Sequence, residues 1–158
     1  MANLSSDERL QRHLSDHRMR AIRFLRKADK YRVSDGDISL ICSFYAAYHA
    51  MRLAILSDPA MLSIPPEISR VAPHITPDAR WNSHHNAPTR SLRGPGVRNI
   101  VDYLYREYSY DYARLHENSV IVRYVVDNDW TPESPAEACA RAERIVTAAL
   151  SGELKYQH

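Results

Sequence analysis

Arginine and histidine recur in this chain at spacings that can hold phosphate and move protons. Arg12 and His17 stand five positions apart, with Asp16 beside the histidine. A guanidinium there can grip a phosphate while an imidazole acts as acid or base. His17 also falls on an apolar stripe, where a packed, hydrogen-bonded histidine is the competing reading. His13 and His17, four apart, can ligate a metal from one helix face. No nearby Cys, His or Glu completes that set, so no metal and no cofactor is predicted. His84-His85 follow Trp81-Asn82-Ser83 and lie between Arg80 and Arg90. They are either a functional turn or two titrating surface imidazoles. The weak catalytic candidates are therefore Arg12, His17, Arg80, His84 and His85.

A second constellation sits in the run Ser43 to Leu56. His49 and Arg52 are about one turn apart, with Tyr45 and Tyr48 close by. They form either a core network with an acid from another helix or the lining of a pocket for phosphate or a base. The tyrosines at 103, 105, 108, 110 and 112, together with Arg106 and Arg114, suit a base-stacking surface or a protein interface.

These groups need elements to position them. Ser5-Ser6-Asp7-Glu8 offers a capping box, and Leu10, Leu14, His17, Ala21, Phe24, Ala28 and Tyr31 follow at helical spacing. The other face carries Arg9, Arg12, Arg20, Arg23, Arg26, Lys27 and Lys30, a mostly solvated surface that makes this the most basic element. Val33-Ser34-Asp35-Gly36 breaks the helix, and Asp37 is placed to cap the next one. That second helix is apolar almost all round, which assigns it to the centre of a bundle, and it ends near Ser57 before Asp58-Pro59. A proline-rich excursion over about 58–96 holds Pro59, Pro65, Pro66, Pro73, Pro77, Pro88 and Pro95 without a useful helical period; it is predicted to be ordered. Val97, Ile100, Val101, Leu104 and Tyr108 restore a helical stripe. From Tyr112 to Val126, helix is preferred to strand, although Val120-Ile121-Val122 and Val125-Val126 are β-branched, because a lone strand has no partner. Ser134-Pro135-Ala136-Glu137 starts the last helix and Ser151-Gly152 ends it.

The expected fold is thus an all-α bundle of about five helices, in one domain spanning 1–158. Net charge is only +2, with 21 basic and 19 acidic residues, so no bulk polyelectrolyte attraction is expected. All the basic residues but Lys27, Lys30 and Lys155 are arginine. Cys42 and Cys139 lie among apolar neighbours and read as buried thiols. No signal peptide and no bilayer-spanning run is predicted, which implies a cytoplasmic protein without a membrane partner.

The second helix resembles that of HEPN proteins, a family of small α-helical domains. Tyr45, Ala46, Tyr48, His49, Ala50 and Leu53 match its Tyr-Ala-x-aromatic-His signature, and Ala21, Leu25 and Ala28 resemble its first helix. The resemblance covers most of the chain outside the excursion. It implies a HEPN-like bundle, a homodimer, a bacterial source, and work beside nucleotidyltransferase-type partners in toxin–antitoxin or defence systems. Many members are metal-independent ribonucleases with an Arg, a polar residue and a His near the start of the penultimate helix. Here that stretch is Leu115-His116-Glu117-Asn118-Ser119-Val120-Ile121-Val122-Arg123-Tyr124, and the Arg–His pair is not reproduced. A second family variant, with an Arg–Asp pair, aligns Ser119 with the Arg and Arg123 with the Asp, leaving only Leu115 and Tyr124 matched. The expectation is a degenerate or non-catalytic module that binds RNA, nucleotide or a protein partner, with Tyr45, Tyr48, His49, Arg52 and Arg123 as binding residues. The alternatives are a metal-independent ribonuclease with a non-standard Arg/His site, and a dimerisation scaffold.

Overall fold

A computed structural model describes residues 5–85, 94–125 and 131–157. The expectations that rest on Pro88, Arg90 and Val126 lie outside the described residues. Six α-helices and two 3-10 turns make an all-α bundle, with no strand among the described residues.

Helix α1 (Ser6–Tyr31) opens on the expected capping box, in which the Ser5 hydroxyl accepts from the Glu8 amide and Glu8 reaches back. Helix α2 (Gly36–Ser57) is capped by Asp35 and not, as expected, by Asp37. Asp35 sits in extended backbone and its carboxylate accepts from the Ile38 amide, whereas Asp37 is already inside the first turn. Every residue from Ala46 to Leu56 is buried. Helices α1, α5 (Arg106–Tyr124) and α6 (Pro135–Ser151) close around α2.

By length and composition α2 does meet the requirement for crossing a membrane, with a mean hydropathy of 1.3, contrary to expectation. Its best window is 83% buried inside the bundle, so its apolarity has a use as the core.

The proline-rich excursion is more structured than its periodicity suggested. It contains a 3-10 turn at Pro59–Met61, the short helix α3 (Pro66–Val71) and a second 3-10 turn at Pro77–Trp81. Each has proline in its first turn, where the missing amide is not needed. Met61, Ile68, Ala72, Ile75 and Ala79 pin these pieces to the core. One apolar anchor per short turn leaves no period to read.

Helix α4 (Val97–Leu104) is separated from α5 by a break at Tyr105, so the stripe from Val97 to Tyr108 belongs to two helices. The Tyr105 hydroxyl donates to the buried carboxylate of Asp58, which also accepts from the Tyr156 and Ala60 amides. Helix α5 continues to Tyr124 through Val120, Ile121 and Val122, so helix wins over strand there. Val122 packs against the core, and packing outweighs a modest propensity cost.

Asp111 binds both Arg141 and Arg144, and Arg141 also holds Glu133, tying α5 to α6. Cys42 and Cys139 are free and buried, as expected. Ser134 caps α6 with Glu137 in the reciprocal arrangement, and Gly152 closes it in the left-handed conformation, φ 78°. Replacing Ser134 by Ala is expected to cost about 1 kcal/mol, measured as a lower urea midpoint with an unchanged slope. An unchanged midpoint would remove the cap from the account of α6.

Candidate functional site

The site forms where α1, α2 and α5 meet a strap made by residues 80–85. Arg52 ties the strap down: its Nη1 donates to the carbonyls of Arg80 and Asn82, both at 2.7 Å. One turn earlier the Tyr48 hydroxyl donates to the Ser83 carbonyl at 2.6 Å. The strap then feeds α4. The carbonyls of His84 and His85 accept from the amides of Val97 and Arg98, each at 2.9 Å, so they satisfy donors that a helix start leaves free. The Asn82 side chain donates to the Pro95 carbonyl, and His84 meets the Gly94 carbonyl at 3.2 Å. Gly94 adopts φ 73°, a conformation that strains other residues.

Imidazoles line this seam. His17 on α1 and His49 on α2 share a hydrogen bond between their Nδ1 atoms at 2.9 Å. One of them must donate and the other accept, so the two rings hold opposite tautomers. Phe24 stacks on His49, and also on Tyr45. On the other side of Tyr48, His85 packs edge-on at 4.5 Å between ring centroids. His85 also touches Phe44 and lies 5.7 Å from His116 of α5.

Burial and surrounding cations hold these rings neutral. His17 falls to about 4, first through burial and then through Arg52, His13 and Arg20, against a weaker pull from Asp16. His49 falls to about 3, through burial and then His17, Arg20, Arg23 and Arg52. His85 falls to about 4, through burial and then His116, Arg123 and His84. His116 is lowered by burial, Arg98 and Arg123, with Glu117 opposing.

Arg52 itself is unusual. It is 4% exposed, its Nε has no hydrogen-bond partner, and no carboxylate forms an ion pair with it among the described residues. The Arg80 and Asn82 carbonyls face its charge, and burial lowers its pKa, with Tyr48 and Tyr112 opposing. Tyr112 is 1% exposed, and its hydroxyl and His85 Nδ1 are likewise buried without hydrogen-bond partners among the described residues. Of the two alternatives for His49 and Arg52, the core network therefore has no acid paired with Arg52 among the described residues.

Arg12 and His17 do not converge: five residues on a helix turn by about 140°, and Arg12 is exposed while His17 faces α2. The Arg80 guanidinium lies over Trp81, whose edge meets His13. Tyr45, Tyr48, His49 and Arg52 do share one region. Arg123 folds back on its own helix, donating to the Ser119 carbonyl at 2.7 Å and to its hydroxyl at 3.0 Å.

The tyrosine set is not a single surface. Tyr105 and Tyr112 are buried, while Tyr110 is exposed beneath Arg141. Tyr103, Tyr105 and Tyr108 instead line a separate cleft of about 470 Å³ with Arg106, Lys155 and Tyr156.

Sequence reasoning missed the inward place of His116 and the contact between His13 and Trp81. Helical spacing places His116 one turn from Tyr112; nothing local joins positions 13 and 81. Among the described residues no three metal-ligating side chains gather. Comparison of the chain with protein-family models, curated proteins and solved structures finds no match.

Proposed function

We propose that this chain is a non-catalytic HEPN-like module that binds RNA or a nucleotide through phosphate. The reading extends to a cytoplasmic bacterial homodimer working with a nucleotidyltransferase-type partner in a toxin–antitoxin or defence system, which rests on the family resemblance. The observation that carries the non-catalytic part is the packing of the seam histidines, His17 against His49 beneath Phe24 and His85 against Phe44 and Tyr48, which keeps their rings neutral. Metal-free RNA cleavage needs one group to take the 2′-hydroxyl proton and another to give a proton to the leaving oxygen. Imidazoles at about 3 to 4 hold almost no proton to give at neutral pH, and they are weak bases. Their surroundings remain suited to anions, because Arg20, Arg23, Arg52, Arg98 and Arg123 all act on them.

Incubation of purified protein with structured and single-stranded RNA in EDTA tests this. Wild type is expected to bind RNA in anisotropy measurements and to leave it intact. Cleavage abolished in Arg12→Ala/His17→Ala or His84→Ala/His85→Ala would establish the ribonuclease alternative and locate its site. Absence of binding to both RNA and nucleotide would leave the dimerisation scaffold.

A further inference from the structure

Helix α1 carries a line of exposed cations that the seam does not use. Arg9, Arg12, Arg20, Arg23, Lys27 and Lys30 follow one another at steps of three or four, or two turns across Asp16. At 100° per residue they fall within an arc of about 80°. The line runs roughly 30 Å along the helix at 1.5 Å per residue. All six are exposed, and none forms an ion pair among the described residues. Surface cations are commonly neutralised by acids one turn away. Here the whole helix holds only Asp7, Glu8, Asp16 and Asp29 against eight Arg and Lys. The excess on this one helix is larger than the net charge of the chain.

Beside the N-terminal half of the line stands an aromatic platform. Trp81 is 39% exposed, with His13 of α1 against its edge and the Arg80 guanidinium over its ring. A charged groove that tracks a backbone, next to a ring on which a base can stack, is the usual construction for single strands. We propose that the α1 cation line is a track for single-stranded nucleic acid, about five or six nucleotides long, with one base on Trp81. This rests on the phosphate-binding reading and names the surface and strand form for it. An anionic membrane is the lesser fit, because the apolar stripe of α1 is packed inside the bundle and Met19 is the large apolar side chain exposed beside the line.

The test measures binding of oligouridylate and oligoadenylate of three, six and twelve nucleotides, as RNA and DNA, at several salt concentrations. Arg20→Gln/Arg23→Gln is compared with wild type and with Arg106→Gln/Lys155→Gln on the separate cleft. Affinity is expected to rise steeply from three to six nucleotides. The α1 pair should lose roughly tenfold in affinity and about 1.4 from the salt slope, at 0.7 per phosphate contact for single strands. The cleft pair should match wild type. Trp81→Phe should lose most of the tryptophan quenching by oligoadenylate. Oligonucleotide binding unchanged in the α1 pair overturns the track while the binding function stands. Loss of affinity in that pair together with RNA cleavage overturns the non-catalytic reading and keeps the track. Failure of every oligonucleotide to bind overturns the track, and a bound mononucleotide would then preserve the seam. Association with phosphatidylserine vesicles in place of oligonucleotides also overturns it.

Discussion

The unfolding free energy should fall steeply as pH is lowered from 6.5 toward 4. His17, His49 and His85 have folded-state pKa values of about 4, 3 and 4, depressed first by burial and then by neighbouring cations or imidazoles. In the unfolded chain each returns to about 6.5. Between those limits the unfolded state binds more protons, so acid favours unfolding. The stabilising difference is whole above pH 6.5. It is lost through the window down to about 4 for His17 and His85, and to about 3 for His49. Each imidazole that charges on unfolding changes the unfolding constant up to tenfold per pH unit. Three together approach a thousandfold, reduced by solvent screening at the partly buried His17 and His85. Carboxylates add their own dependence nearer pH 4, so the informative range is pH 6 to 5. Urea midpoints across pH 7.5 to 4.5 measure the slope. His17→Gln should flatten it by about one proton. A midpoint that stays level from pH 7 to 5 would show that the rings charge freely in the fold and are able to act as acid or base.

Arg52→Ala is expected to lower stability by about 3 kcal/mol, from two charge-assisted hydrogen bonds and the lost packing of a buried side chain. The effect should be local as well as global. With Nη1 gone, the carbonyls of Arg80 and Asn82 lose their donor, and Tyr48 is left as the α2 side chain that holds the strap, beside its links to residues 94–98. Proteolysis or amide exchange should rise around residues 80–85, and His85 should become more exposed. Arg52→Met separates charge from shape. It fills the space and removes a buried guanidinium that has no carboxylate, so its cost should be well below that of Ala. Equal losses for Ala and Met would locate the contribution in the hydrogen bonds. A neutral Arg52→Ala would mean that the strap is held elsewhere.

Much of the bundle was legible because its signals are local. Ser5 with Glu8 and Ser134 with Glu137 are caps written within four residues, and Gly152 marks a helix end by its own conformational freedom. The centrality of α2 follows from its lack of a polar face. The site was legible only in parts. His49, Arg52, Tyr45 and Tyr48 stood out through shared helical spacing. The strap partners of Arg52 are backbone carbonyls, which have no identity in a sequence, so the core-network alternative named a carboxylate where none pairs with it among the described residues. The break at Tyr105 escaped because the apolar spacing continues across it, and what turns the chain there is a hydroxyl reaching Asp58, 47 positions away. The short turns of the excursion escaped for lack of length.

The burial of α2 has a consequence for synthesis. This 22-residue helix is translated after α1, while α5 and α6, which complete its coat, are translated later. Until then the nascent chain presents a lipid-like segment to chaperones and to the membrane-targeting machinery. Pairing with α1 offers protection before α5 and α6 are made, and the cations on the outer face of α1 favour hydration of that early hairpin. Truncations ending before Pro135 should therefore be recovered with chaperones or in aggregates, even though the second helix itself is intact.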